Sequence, residues 1–282
     1  MTADDRILPY TRWVGAIIVP FLVAAFVILY LFPTQTDQLF AWTITPPLTA
    51  MFLASAYAGG IWFFVQVVRP NRWHAVRYGF PAVLVFSILL AISTFLHLAK
   101  FHSGHISFIV WLTLYIATPF LVFAAMIANA PADPRKPDER DARIPAVLRI
   151  LLALVGLAAL ATGIFLFVVP QVAIDVWAWP LTPLTARVSG AILTLPGLVN
   201  VWMFGDARWS AFRQICQAQL VGLIFIAGAL AIRNGDLDWT KPATPMFVWG
   251  IAVSLVVYAV YYAWGETALR RRRPVVRAAP QD

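Results

Sequence analysis

Apolar runs alternate with short polar segments along the whole chain, and each run approaches the roughly 20 residues that a helix needs to cross a bilayer. Read in order, the runs predict helices over about Trp13 to Phe32, Pro47 to Val68, Tyr78 to Leu98 and Gly104 to Ala128 in the first half. The second half predicts Pro145 to Val169, Pro183 to Phe204, Phe212 to Ile232 and Pro245 to Trp264. The fold class expected is therefore all-α and integral to a membrane, with eight transmembrane helices. The first run is too long for the core of a signal peptide, and no small-residue cleavage site follows it, so it is expected to be retained.

The pattern is used twice. Phe40-Ala-Trp-Thr-Ile-Thr-Pro-Pro-Leu-Thr-Ala50 returns as Trp177-Ala-Trp-Pro-Leu-Thr-Pro-Leu-Thr-Ala186, each copy opening a helix with a proline that has no N–H to leave unsatisfied and threonines suited to capping. At a spacing of 136 residues the register persists downstream, so that Arg72-Trp73-His74 answers Arg208-Trp209-Ser210. Two four-helix repeats follow from this, covering residues 13–128 and 144–265. They are flanked by an N-terminal tail (1–12), a proline-rich charged linker (129–143) expected to be solvated, and a basic tail (266–282).

All but four of the 21 Lys and Arg residues fall on the side of the tails, the linker and the alternate loops, in those segments or just inside the span ends that meet them; Lys100, Arg187, Arg233 and Lys241 are the exceptions. The positive-inside rule then places both termini and the linker in the cytoplasm. An even number of spans per unit makes the repeats parallel, related by an axis along the membrane normal. Tryptophans near span ends, among them Trp13, Trp42, Trp177 and Trp239, suit the interfacial belt.

Composition agrees, with 61% hydrophobic and 12% charged residues and a mean hydropathy of +0.78, against about 45–50% and 25% in soluble domains. The net charge of +8 is dispersed between spans instead of forming a stripe, which excludes nucleic acid as the expected partner. Many arginines and alanines and few lysines suit a GC-rich bacterial genome, so the expected location is the inner (plasma) membrane, multi-pass. Cys216 stands alone, which rules out an intramolecular disulfide.

Candidate chemistry is sparse. Ala50, Ala54 and Ala58 recur every four residues, matched by Ala186, Gly190 and Thr194, a small-residue face that lets helices approach closely and makes these two spans central. Gly59-Gly60 and Pro196-Gly197 mark places for a kink or an opening, a pointer to a site at the repeat interface. Arg187, His97 and Arg233 gather near the outer side, and Tyr57, Thr194 and Tyr258 are polar groups within spans; these six form the expected ligand-binding set. No Asp or Glu lies within a span, which argues against a carboxylate proton relay. His97, His102 and His105 lack the helical spacing of a metal or haem site, no phosphate loop or nucleophile motif is present, and no cofactor or catalytic residue is expected.

The function expected is binding or translocation of a small lipophilic or weakly anionic molecule at the repeat interface, with the lipid bilayer as surroundings. The alternative is a non-catalytic subunit or scaffold that packs against partner membrane proteins. A membrane enzyme built on the outer histidines would need a substrate that the sequence does not name.

Overall fold

The computed structural model describes residues 5–69, 71–133 and 141–271, and they are helical with no strand among them. The helices are α1 (Pro9–Leu31), α2 (Thr36–Leu39), α3 (Pro47–Val68), α4 (Gly79–Leu96), α5 (Ile106–Asn129), α6 (Ala146–Val168), α7 (Pro170–Val176), α8 (Pro183–Val201), α9 (Trp209–Ile232) and α10 (Ala243–Arg271), joined in places by single 3-10 turns. Eight of them, all but the short α2 and α7, are long and apolar enough to cross a membrane. The chain is a multi-pass helical membrane protein whose outward apolar side chains meet lipid.

Burial sorts the spans. α3 and α8 are each 67% buried, whereas α10 is 11% and α1 22% buried, so the first pair forms the centre and the others surround it. α1 packs on α3 and α6 on α8; α3 crosses to α9 and α8 to α4; α5 lies on α4 and α10 on α9. Exchanging the first four spans for the last four leaves this set of pairings unchanged.

Small residues explain the tight crossings, because association in lipid depends on van der Waals packing. A Cβ on Gly190 would lie 2.5 Å from the Gly163 carbonyl oxygen, and one on Gly163 would lie 2.6 Å from that of Gly190. The small face of α8 thus serves α6 at this point. On α3, a Cβ on Gly59 would meet the Ala218 carbonyl of α9 at 2.8 Å. No break opens the helices at Gly59-Gly60 or Pro196-Gly197, since both run through these residues as continuous helix. The glycines there permit backbone contact, Gly197 lying against Gly156 and Leu160 of α6.

Helix starts differ between the halves in an informative way. Thr182 caps α8 in a capping box with Thr185, but the matching position before α3 is Pro46, which has no side-chain donor or acceptor. Asp236, from the loop after α9, accepts the Leu48 N–H instead at 2.9 Å. A carboxylate at a helix N-terminus also faces the positive end of the helix dipole.

At the opposite end of the bundle the tail, the basic loops and the linker ends converge. Asp5 accepts the His74 backbone N–H at 3.0 Å and pairs with its ring Nδ1, while Asp141 accepts the Ser210 N–H at 3.1 Å and its hydroxyl at 2.5 Å. His74 Nε2 and Ser210 Oγ then meet at 3.0 Å, joining the two halves at matched positions. Asp133 pairs with Arg77 and, at 3.2 Å, with both terminal nitrogens of Arg208; Asp206 also holds Arg208. Burial alone would raise the Asp206 pKa, but hydrogen bonds from the Arg208 side chain and backbone and from Tyr78 outweigh it and hold the carboxyl below its ordinary value.

The solvated linker expected over 129–143 is corrected here at Asp133 and Asp141, each 6% exposed, because partners distant in sequence compensate the loss of water; residues 134–140 lie outside the described residues. The N-terminal tail is corrected likewise: α1 already starts at Pro9, and Asn129 accepts the Leu8 N–H at 3.0 Å. α10 continues beyond Trp264 to Arg271, and Glu266 on this extension receives two hydrogen bonds from Arg213, at 2.5 and 2.9 Å.

Candidate functional site

Between the spans lies a cavity of about 310 Å³, walled by side chains of α1, α3, α4, α5, α6, α8, α9 and α10. That volume stands at the lower end of the range of about 300–1,000 Å³ for small-molecule sites. Its walls are mainly apolar, with Phe52, Phe63, Phe64, Phe86 and Trp111 supplying aromatic surface.

Many lining residues come in pairs 136 apart: Gly60 with Pro196, Phe63 with Val199, Gly79 with Ile215, Phe86 with Gly222, and Thr118 with Ser254. The cavity therefore sits where the first and last four spans meet, and each contributes the same stretch of its helices. Helix crossings leave the room: a glycine or alanine at Ala56, Gly59, Gly60, Ala218 and Gly222 removes side-chain volume where two helices approach.

Polar groups in the walls are few and unevenly divided. Tyr57 on α3 and Tyr115 on α5 bring their hydroxyls to 2.9 Å, and both are buried, at 2% and 9% exposure. Their counterparts at the 136-residue spacing, Leu193 and Ile251, also line the cavity but carry no polar atom. Ser55 and Ser87 spend their hydroxyls on carbonyls of their own helices, Phe52 and Leu84. Trp111 stacks obliquely on Tyr115 with ring centroids 4.2 Å apart and gives its N–H to Thr94 at 2.9 Å, which holds the Tyr115 ring in place.

The six residues expected from the sequence separate into different places. Tyr57 lines the cavity. Thr194 does not; its hydroxyl donates to the Ala191 carbonyl at 2.7 Å. Tyr258 accepts a hydrogen bond from Asn200 Nδ2 at 2.6 Å in a separate buried cluster with Phe212 and Cys216. Arg187 and His97 do meet, Arg187 Nη1 donating to His97 Nε2 at 2.7 Å, which requires that ring nitrogen to be unprotonated. Burial, then the charges of Arg187 and Lys100, push the His97 pKa below its ordinary value. Arg233 hydrogen-bonds neither of them, and its Nε is buried without a partner.

The other polar groups of that end are committed to structure. His102 bonds to the Phe40 carbonyl at 3.1 Å and Thr43 Oγ1 at 3.3 Å, and His105 caps α5 through the Ser107 N–H at 3.3 Å. Lys241 donates to the Asp175 carbonyl, and Asp238 accepts from Thr240 at 2.5 and 3.0 Å. Sequence reading passed over Tyr115 and Trp111. The available signal was their spacing of four on α5, which places both rings on one helix face. The scan against protein-family models and the searches of curated proteins and of solved structures found no match to this chain.

Proposed function

We propose that the protein is built of two parallel four-span repeats, with its termini in the cytoplasm of a bacterial-type inner membrane, and that it binds a small lipophilic molecule in the cavity between them. The observation that carries this reading is the cavity itself, because its walls are drawn from matched positions of both halves and are almost wholly apolar. A molecule that partitions into the bilayer would reach such a site laterally between spans. Arg187 and His97 serve a weakly anionic end of that molecule. Arg187 lies five residues before the lining residue Ile192 on α8, about 7.5 Å along the axis, and its charge favours an anion. Translocation would follow if the pairing of Arg187 with His97 opened toward the outer side.

The test is native mass spectrometry of protein extracted in mild detergent, comparing wild type with Val83→Trp, which fills the cavity from α4, and Val260→Trp, which adds bulk at a position facing lipid. A bound small molecule present in wild type and Val260→Trp and absent from Val83→Trp is the expected result. A molecule retained by all three would remove the cavity from the reading, and a protein partner in fixed ratio would replace it with the scaffold alternative.

A further inference from the structure

The cavity walls match by position, so the places where one half carries a polar group and the other does not are informative. A cavity lined by the same residues from both halves would accept a ligand in either of two orientations, and only positions where the halves differ distinguish them. The polar differences include Tyr57 and Tyr115 against Leu193 and Ile251, and Gln219, whose Oε1 is buried without a partner, against Val83; the tyrosines alone bring two hydroxyls together. Of two hydroxyls 2.9 Å apart, one donates and the other accepts, so the accepting hydroxyl keeps a proton of its own. No protein acceptor for that proton is found among the described residues: neither tyrosine has a second hydrogen bond, both are buried, and both face the cavity. A buried donor left without an acceptor is costly, and the unpartnered acceptor in the wall, Gln219 Oε1, hydrogen-bonds neither tyrosine.

We infer that the cavity recognises a lipophilic carbonyl compound, of the ketone, ester or quinone class, whose oxygen accepts a hydrogen bond from the Tyr57–Tyr115 hydroxyl pair. The inference rests on the reading that the cavity holds a ligand and adds the chemistry of that ligand and its orientation. A carbonyl oxygen accepts from the donor that the pair offers and brings no proton of its own, and the Trp111 ring against Tyr115 gives an apolar wall on which an aromatic or quinonoid ring stacks. The aliphatic Leu193 and Ile251 side receives the rest of the molecule, so the carbonyl is directed toward α3 and α5 and not toward α8 and α10.

Benzophenone and diphenylmethane share a framework and differ by the carbonyl, and titration calorimetry of each into the purified protein, with empty detergent micelles as control, separates the two ideas. Benzophenone is expected to bind about tenfold more tightly than diphenylmethane to wild type, the worth of one hydrogen bond of about 1.4 kcal/mol. In the double variant Tyr57→Phe with Tyr115→Phe the ratio should fall to about one with diphenylmethane binding unchanged. Equal binding of both probes to wild type overturns the carbonyl inference and leaves the cavity reading standing. Preference retained by the double variant also overturns it, because the donor then lies elsewhere. Binding of neither probe to wild type removes the cavity reading itself, and the wild-type comparison decides even where the double variant does not fold.

Discussion

Single side chains account for several features by their relation to a matched position. Asp236 does at the start of α3 what Thr182 does at the start of α8, because proline occupies the cap position of the first half. Asp236→Ala should therefore lower stability by about 0.5–2 kcal/mol, the usual cost of losing a helix cap, whereas Asp238→Ala, whose carboxylate serves the exposed Thr240, should cost less. Thermal unfolding in detergent measures both, and equal losses would mean that the contact with Leu48 contributes nothing. Arg187 answers Met51 in the first half, and its guanidinium is one cause of the lowered His97 pKa, after burial. In Arg187→Met the His97 imidazole should titrate at higher pH than in wild type while staying below its ordinary value, because burial persists. The sign for stability follows: a base with a folded pKa below its unfolded one disfavours folding as pH drops through that window, so the His97 contribution is full at neutral pH and is lost on acidification. Histidine ring NMR titration reports the shift, and an unchanged His97 would show that Arg187 does not act on it.

At the scale of helices, hydropathy and proline placement made most of the fold legible, since a span is encoded locally by its own run of apolar residues. α3 begins and ends where the sequence puts it, at Pro47 and Val68. What stayed hidden was set by distant partners. Nothing within the charged linker tells that Asp133 will be held by Arg208, 75 residues away, and nothing near Trp264 tells that Glu266 will pair with Arg213. The candidate site was legible in the same measure: Tyr57 belongs to a patterned helix, but its partner Tyr115 lies on a face of α5 that becomes interior only after α4 and α5 pack. The small face of α8 was readable as a close crossing, and its partner α6 was not. Gly190→Leu should lower the unfolding midpoint well beyond Leu195→Ala, since any Cβ at Gly190 lies 2.5 Å from the Gly163 oxygen and 3.0 Å from the Phe167 nitrogen. Backbone cannot yield as a side-chain tip does. Overpacking costs roughly 1–3 kcal/mol, and Leu195, half-buried at the cavity wall, gives up little on truncation. Indistinguishable midpoints for Gly190→Leu and wild type would mean that α6 and α8 separate at no cost there.

For the whole molecule, the charge pattern predicts an orientation, and the contacts show that the basic segments share one end of the bundle. The basic segments were assigned to one side from sequence by the positive-inside rule alone. In the fold these segments touch: Arg6 bridges to Arg72 and Arg143 to Arg208, Arg77 and Arg208 share Asp133, and Arg213 binds Glu266. They lie together at the end that carries the start of α1, the end of α5, the start of α6 and the end of α10. Lys100, Arg187, Arg233 and Lys241 belong to the other end, with Asp236 on α3 and Arg187 on His97. Gathering carboxylates among the arginines does not cancel the topological signal, because acidic residues contribute little to it. The expectation is that the end holding Asp5, Asp133 and Asp141 faces the cytoplasm. Fusions at residue 137 and at the C-terminus should make a fluorescent protein that folds only in the cytoplasm glow, and leave alkaline phosphatase inactive. A phosphatase inserted after Gly104, in the loop between α4 and α5, should be active. Active phosphatase at residue 137 would invert the molecule, turn Arg187 and His97 toward the cytoplasm, and transfer any anionic head group they hold to the inner leaflet.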